Sequence, residues 1–289
     1  METVALIVNV RKKNARAACE RVIEILRANG VRVIADQETA NLLGDRVIAR
    51  DTARVRADAE MVVALGGDGT VLKAGRILAG VDVPLLGINL GGLGFLTAAT
   101  VEEAREIIEH ALSGRCRAEQ RMLLQVSHER SGRTVARHVV LNDAVITKGI
   151  LSRLVKLDTF IDSEYLVTFI SDGLIISSPT GSTAYSLSAG GPLVCPDAEA
   201  IIVTPICPHT LSNRPLVVPG WKKVRVTVSA GARDIALTLD GQVGEMLENK
   251  DEITVEACDE KLTLFVSSKA SYYQLLREKL HWGGRPTYA

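Results

Sequence analysis

The chain has no C-x-x-C pair, no long apolar run and no excess of either charge, and each absence removes a class of protein. Its five cysteines, Cys19, Cys116, Cys195, Cys207 and Cys258, are odd in number and scattered. That argues against a disulfide framework and against a zinc site, and predicts buried cytosolic thiols. Lys+Arg and Asp+Glu stand at 34 each. No broad positive field therefore draws the protein to nucleic acid or to an anionic membrane, and an anionic ligand must be held by a local site. No stretch approaches the roughly 20 apolar residues of a membrane span, and the first residues show no basic leader or cleavage site, so a cytoplasmic location is expected. The chain also lacks G-x-x-x-x-G-K-[ST], and its Gly67-x-Gly69 pair has Leu72 where a dinucleotide fingerprint needs a third small residue. Neither a P-loop nor a Rossmann reading fits.

At 289 residues the chain has room for two domains, each with its own core. The first hundred or so residues alternate strand and helix patterns. Residues 3–9 are a short apolar run, after which Ala18, Val22, Ile25 and Leu26 share one helical face until Gly30 ends it. Residues 31–35, 61–65 and 84–88 are continuous apolar runs of the kind buried on both faces of a parallel sheet. Residues 36–57 are polar and give no assignment. The capping box Thr100-x-x-Glu103 opens a further helix that stops at Gly114.

Beyond Arg121 the texture changes to short alternating β-branched segments, such as Val155, Leu157, Thr159 and Ile161, or Val224, Val226 and Val228. Turns at Arg130-Ser131-Gly132, Asp162-Ser163 and Asp240-Gly241 separate them. The expected fold is an N-terminal α/β domain with a mostly parallel sheet over residues 1–115, followed by a C-terminal β-sandwich-like domain over 116–267. The tail, 268–289, contains a helix from Tyr272 that is expected to return to the first domain.

Three segments carry chemistry. Gly66-Gly67-Asp68-Gly69-Thr70 joins an apolar strand to a helix whose apolar positions are Val71, Ala74, Gly75 and Leu78. Glycines at such a turn let backbone amides approach a phosphate, and the helix N-terminus adds its positive end. Asp68 is the unexpected member: a carboxylate at an anion site is costly unless it handles a metal or a proton. A second glycine turn, Asn89-Leu90-Gly91-Gly92-Leu93-Gly94, follows the next strand, so two loops leave neighbouring strand ends on one side of the sheet, where ligands of open α/β sheets gather. The third segment runs from Ser171-Asp172-Gly173 through Thr180-Gly181-Ser182-Thr183-Ala184-Tyr185-Ser186-Leu187-Ser188. It holds more small hydroxyls and glycines than a core requires, with Tyr185 offering a face for stacking.

Taken with Asn142-Asp143 and Pro208-His209-Thr210-Leu211-x-x-Arg214-Pro215-Leu216, these motifs resemble the NAD kinase family in order and spacing. The likeness runs from the first strand to Leu280-His281-Trp282. The resemblance implies a phosphotransferase that makes NADP from NAD, with ATP or polyphosphate as donor and Mg²⁺ or another divalent cation arriving with the donor's phosphates rather than in a protein cage. It implies Asp68 as the catalytic carboxylate, with Gly66, Gly67, Gly69 and Lys73 toward phosphates, and Asn142 and Asp143 on the ribose. Asp172, Thr183, Ala184, Tyr185, Ser186, Leu187 and Ser188 match the nucleotide pocket. Arg153 and Gln242 match further nucleotide contacts, while His209 and Arg214 read as structural. The partners implied are NAD and ATP, with no nucleic acid or membrane, in a homodimer or homotetramer. One position departs from the family: Ile170 stands where many relatives have a basic residue, which implies poor use of NADH.

Two other classes remain. A lipid kinase of the same superfamily would keep the Gly-Gly-Asp-Gly loop but lack the Thr-Gly-Ser-Thr-Ala-Tyr pocket, and a non-catalytic NADP-binding regulator would lose the acid at position 68. Both features are present here.

Overall fold

In a computed structural model describing residues 1–149, 154–210, 212–229, 234–267 and 269–282, the chain forms two compact units. One comprises Met1–Glu119 with the chain from Leu262 onward, the other Gln120–Lys261.

In the first unit the apolar runs become parallel strands. These are β1 (Thr3–Val8), β2 (Arg32–Asp36), β3 (Ile48–Arg50), β4 (Met61–Gly66), β5 (Leu85–Asn89) and the short β6 (Ala99–Thr100). Their order is β3-β2-β1-β4-β5, and Leu264 and Phe265 pair parallel with Leu85 and Leu86 on the far side of β5. Helices α1 (Ala15–Ala28), α2 (Gln37–Leu43), α3 (Thr52–Asp58), α4 (Asp68–Leu78) and α5 (Ala104–Leu112) connect them. Strand β1 is buried throughout, as a strand covered on both faces must be. Helix α1 turns Ala18, Cys19, Val22, Ile25 and Leu26 inward.

The polar segment that gave no assignment is α2, β3 and α3. Its helices are short and depend on their caps: Asp36 accepts from the Thr39 amide at 3.0 Å and Asp51 from the Arg54 amide at 2.8 Å. At Thr100 the capping box is half made. The Glu103 carboxylate accepts from the Thr100 amide at 3.1 Å, but the helix begins only at Ala104 and no side chain caps it. The cysteines divide as well: Cys19 is buried, whereas Cys195 and Cys207 are exposed, because their loops leave no core to enter.

The second unit is built mainly of antiparallel strands, with a 3-10 turn (Thr180–Thr183) and one short α-helix among its described residues. Its strands are β7 (Arg117–Arg130), β8 (Arg133–Val140), β9 (Asp143–Lys148), β10 (Val155–Ile161), β11 (Glu164–Ser171), β12 (Gly173–Ser177), β13 (Ala200–Ile206), β14 (Leu216–Pro219), β15 (Val224–Val228), β16 (Ile235–Leu239), β17 (Val243–Leu247) and β18 (Glu252–Val266). Helix α6 (Tyr185–Ser188) follows β12, and α7 (Tyr272–Leu280) lies in the chain returned to the first unit. One sheet runs β14-β13-β12-β9-β16-β17; the other strands of this unit include the path β11-β10-β15-β18, with β7 paired to β18 and β8. Alternate residues of both sets meet in one core: Ile146, Leu174, Ile176 and Leu237 from the first, Leu157, Val226, Ile253 and Val255 from the second.

One polar cluster closes the rim of this unit. The Asp251 carboxylate, fully buried, receives Arg130 through Nε at 2.9 Å and Nη2 at 2.8 Å, His128 Nε2 at 2.9 Å and the Glu248 amide at 2.8 Å. Burial opposes its charge, but the Arg130, Glu248 and His128 donors outweigh that and hold the carboxyl down at about 2. Removing it takes the shared carboxylate from the buried His128 and from Arg130, leaving them Glu245 and Glu248. Asp251→Ala is therefore expected to cost about 3–5 kcal/mol in urea unfolding at neutral pH. Because the folded carboxyl titrates below the usual ~3.9, its contribution is complete above that value and is lost as the pH falls toward 2. The gap between wild type and Asp251→Asn should accordingly narrow on acidification.

Candidate functional site

In the first unit, pairing of Gly66 with Asn89 at the ends of β4 and β5 starts both glycine loops side by side. Asp68 opens α4 immediately after Gly67. Its side chain reaches across to the second loop, where Oδ2 accepts from the Phe95 amide and Oδ1 from the Leu96 amide, each at 3.0 Å. The second loop is folded onto its own side chains: the Gly94 amide donates to Thr97 Oγ1 at 2.8 Å and the Gly91 amide to Asn89 Oδ1 at 2.9 Å. Gly94 is required by this approach, since a Cβ there would lie 2.1 Å from Asp68 Oδ1. The result is a carboxylate fixed at a helix N-terminus by two amides, with lone pairs left over for a hydroxyl proton or a cation.

Lys73, expected toward phosphates, is engaged with Asp36 at 2.9 Å and Glu38 at 2.8 Å. Burial works against its charge, but the hydrogen bonds and charges of these two carboxylates prevail and raise it above the ordinary lysine value. Both partners lie in the segment that the sequence left unassigned.

In the second unit, Asn142 and Asp143 stand where β9 begins. The Asn142 carbonyl accepts the Ser178 amide at 2.8 Å and lies against Gly181, where a Cβ would come within 2.2 Å of that oxygen. Ser178 Oγ donates to the Leu141 carbonyl at 2.5 Å. The turn after β12 is thus bound to the start of β9. Among the described residues, Asn142 Oδ1, Ser177 Oγ and Thr180 Oγ1 are buried with no hydrogen-bond partner. Buried polar atoms are rarely left so, and three around one turn single this turn out as a candidate site. Burial first, and the Asp240 charge second, push the Asp143 carboxyl up to about 7.

The small-residue stretch is anchored from below. Ala189 packs on Val145, Ile175 and Ile206, and Ser186 Oγ meets Thr204 Oγ1 at 2.9 Å in the interior. Thr183 Oγ1 donates to the Thr180 carbonyl at 3.2 Å. With Ser186 inside and Ala184 and Leu187 half-buried, Tyr185 and Ser188 point outward, and the tyrosine is 45% exposed. Asp172 pairs with Lys148 at 2.9 Å. Gln242 is exposed in the β16–β17 hairpin, its amide bonded to the Leu239 carbonyl at 2.9 Å. Ile170 is half-buried and its carbonyl accepts the His209 amide at 2.9 Å. Arg153 lies outside the described residues.

The sequence does not single out Asp240, Lys148 or the Asp36–Glu38 pair as site residues, and Ser177 stands out only as one member of the hydroxyl-rich segment. By sequence Asp240 is a turn residue, and the signal that raises it is its place two residues before Gln242.

Comparison with known proteins gives one answer along the whole chain. A family model described as the ATP-NAD kinase N-terminal domain matches residues 4–116, and one described as the ATP-NAD kinase C-terminal domain matches residues 141–267. An NAD kinase of Geobacter sp. (strain M21) is 42% identical over 288 residues, covering 99% of this chain and 100% of that one. An NAD kinase of Moorella thermoacetica is 43% identical, covering 98% and 91%. The crystal structure of yeast NADH kinase complexed with NADH matches with a TM-score of 0.90 at 28% identity, covering 99% of this chain and 90% of that one. An NAD kinase from Archaeoglobus fulgidus in complex with ATP matches with a TM-score of 0.77 at 24% identity over 98% and 100%, which shows the shared fold. With both domain models matched and relatives this similar from end to end, the chain belongs to the NAD kinase family.

Proposed function

We propose that the chain transfers the terminal phosphoryl group of ATP or polyphosphate to the 2′-hydroxyl of the adenosine ribose of NAD, giving NADP, with Asp68 as the group that takes the hydroxyl proton. The observation that carries this reading is the Asp68 carboxylate, held at the head of α4 by the Phe95 and Leu96 amides with acceptor capacity to spare. In the reaction the 2′-oxygen forms a bond to phosphorus, the bond from phosphorus to the donor's leaving oxygen breaks, and the proton passes to Asp68. ADP, or a shortened polyphosphate, leaves. Amides of the Gly66-Gly67-Asp68-Gly69 loop suit the migrating phosphoryl group, because they present donors at a helix N-terminus.

Asn142 and Asp143 are assigned to the ribose, which supplies donors for the unpartnered Asn142 Oδ1. The nucleotide pocket is assigned to Asp172, Thr183, Tyr185 and Ser188, with Arg153 and Gln242 as further contacts. Lys73 is assigned to the donor side, a role that requires it to leave Asp36 and Glu38.

Mg²⁺ or another divalent cation belongs to this reading, supplying charge neutralisation on the donor's phosphates. In this reading the ion arrives with the donor's phosphates and keeps several waters rather than sitting in a protein cage. The family resemblance further supports a cytoplasmic homodimer or homotetramer. Among the described residues no helix is long and apolar enough to cross a membrane.

A coupled assay for NADP, run with ATP and with polyphosphate in turn, tests the activity. NADP is expected with at least one donor, and its absence with both would reject the reading. In that assay Asp68→Asn should fold normally and lose about 10²–10⁴ in kcat, since Asn retains size but cannot take a proton. NAD affinity should change far less. Tyr185→Ala should raise the KM for NAD more than it lowers kcat, by removing a stacking face worth about 0.5–1.5 kcal/mol. An unchanged KM would make the exposed ring incidental.

A further inference from the structure

The turn between β16 and β17 does more than reverse the chain. Strand β16 lies antiparallel beside β9, with Leu239 opposite Ala144, so the first turn residue, Asp240, comes down beside Asp143. Asp240 and Gly241 both stand in the left-handed region, at φ 49° and 64°. Asp-Gly closes such a hairpin by backbone conformation alone, and the aspartate side chain need not be buried. Here it is: Asp240 is 5% exposed. Its Oδ1 accepts from the Asn142 amide at 2.8 Å and the Asp143 amide at 3.3 Å, and its Oδ2 from the Leu141 amide at 3.2 Å. Its own amide donates to the Asp143 carbonyl at 3.0 Å.

We propose that Asp240 is a positioning residue for the acceptor: by gathering the amides of Leu141, Asn142 and Asp143 onto one carboxylate, it sets where the Asn142 and Asp143 side chains stand toward the ribose. This rests on the assignment of those two residues to the ribose. From the opposite side the Asn142 carbonyl is tied to Ser178 and crowded by Gly181, so the peptide carrying the ligand-facing side chains is held on both edges. Such preorganisation lowers the ordering cost of binding. The carboxylate acts on Asp143 in a second way. Among the described residues Asp240 is the charged group that acts on it, adding to burial in raising its titration to about 7. The charge on Asp143 in the working range therefore depends partly on Asp240.

Calorimetric binding of NAD between about pH 5.5 and 8.5 separates these effects. Asp240→Asn keeps an acceptor oxygen but removes the charge. It should weaken NAD binding about tenfold at neutral pH and move the binding midpoint contributed by Asp143 to lower pH. Asp240→Glu keeps the charge on a longer arm; it should weaken binding as well, with the midpoint near its wild-type place. Asp143→Asn should abolish the midpoint. A purely structural Asp240 would shift melting temperature without moving that midpoint. Wild-type affinity and midpoint in Asp240→Asn, alongside weak binding by Asp143→Asn, would overturn the positioning role while leaving the ribose assignment intact. Wild-type binding by Asp143→Asn would overturn both. If Asp240→Asn folds poorly, Asp240→Glu decides the matter, and undiminished NAD affinity in that variant refutes the proposal.

Discussion

The carboxylate of Asp68, at the head of the first unit's glycine loop and helix, is held in place by two backbone amides, those of Phe95 and Leu96. An acid at the start of a helix favours its dipole, but an exposed one would sample several rotamers. The amides remove that freedom, and they are available because the second glycine loop is itself folded on Asn89 and Thr97. Parallel pairing of β4 and β5, in register to their last residues, brings the loops together in the first place. The order of causes therefore runs from buried strands to adjacent loops to a fixed carboxylate.

The second unit reaches a comparable precision by another route. Its sandwich core is plain alternation of apolar residues, while the polar groups at the turn after β12 and the start of β9 bind one another through backbone. Donors and acceptors that serve structure are paired there, while Asn142 Oδ1, Ser177 Oγ and Thr180 Oγ1 are buried without a partner among the described residues. The contrast with Asp251 is instructive: that carboxylate is equally buried, yet four donors satisfy it, and its cluster belongs to stability.

What could be read beforehand follows from how local each signal is. Continuous apolar runs gave the parallel strands, and Asp-Gly and Ser-Gly turns gave the hairpins, because strand burial and left-handed turns are properties of a few adjacent residues. Residues 36–57 stayed unread since α2 and α3 are two turns each, too short for a helical period, and hang on the caps Asp36 and Asp51. The glycine loop, Asn142-Asp143 and the Thr180–Thr183 turn were legible as motifs. The partners were not: that Asp68 would be gripped by Phe95 and Leu96, Lys73 by Asp36 and Glu38, or Asn142 by Asp240, are contacts between residues 27 to 98 positions apart. Composition and periodicity carry no record of such pairings.

The pairing of Leu264 and Phe265 with Leu85 and Leu86 also has a bearing on biosynthesis. The first unit is discontinuous in the chain, so a ribosome delivers β1 to β5 long before the strand that flanks β5. Until residues 264 and 265 emerge, Leu85 and Leu86 of β5 have an open edge on that side, where β6 covers only Ile88 and Asn89, and the entire second unit is made in the interval. The unit that carries Asp68 begins first and finishes last, its sheet incomplete through most of translation. Truncation shortly after the second unit would therefore damage the N-terminal sheet, although every one of that sheet's first five strands would be present.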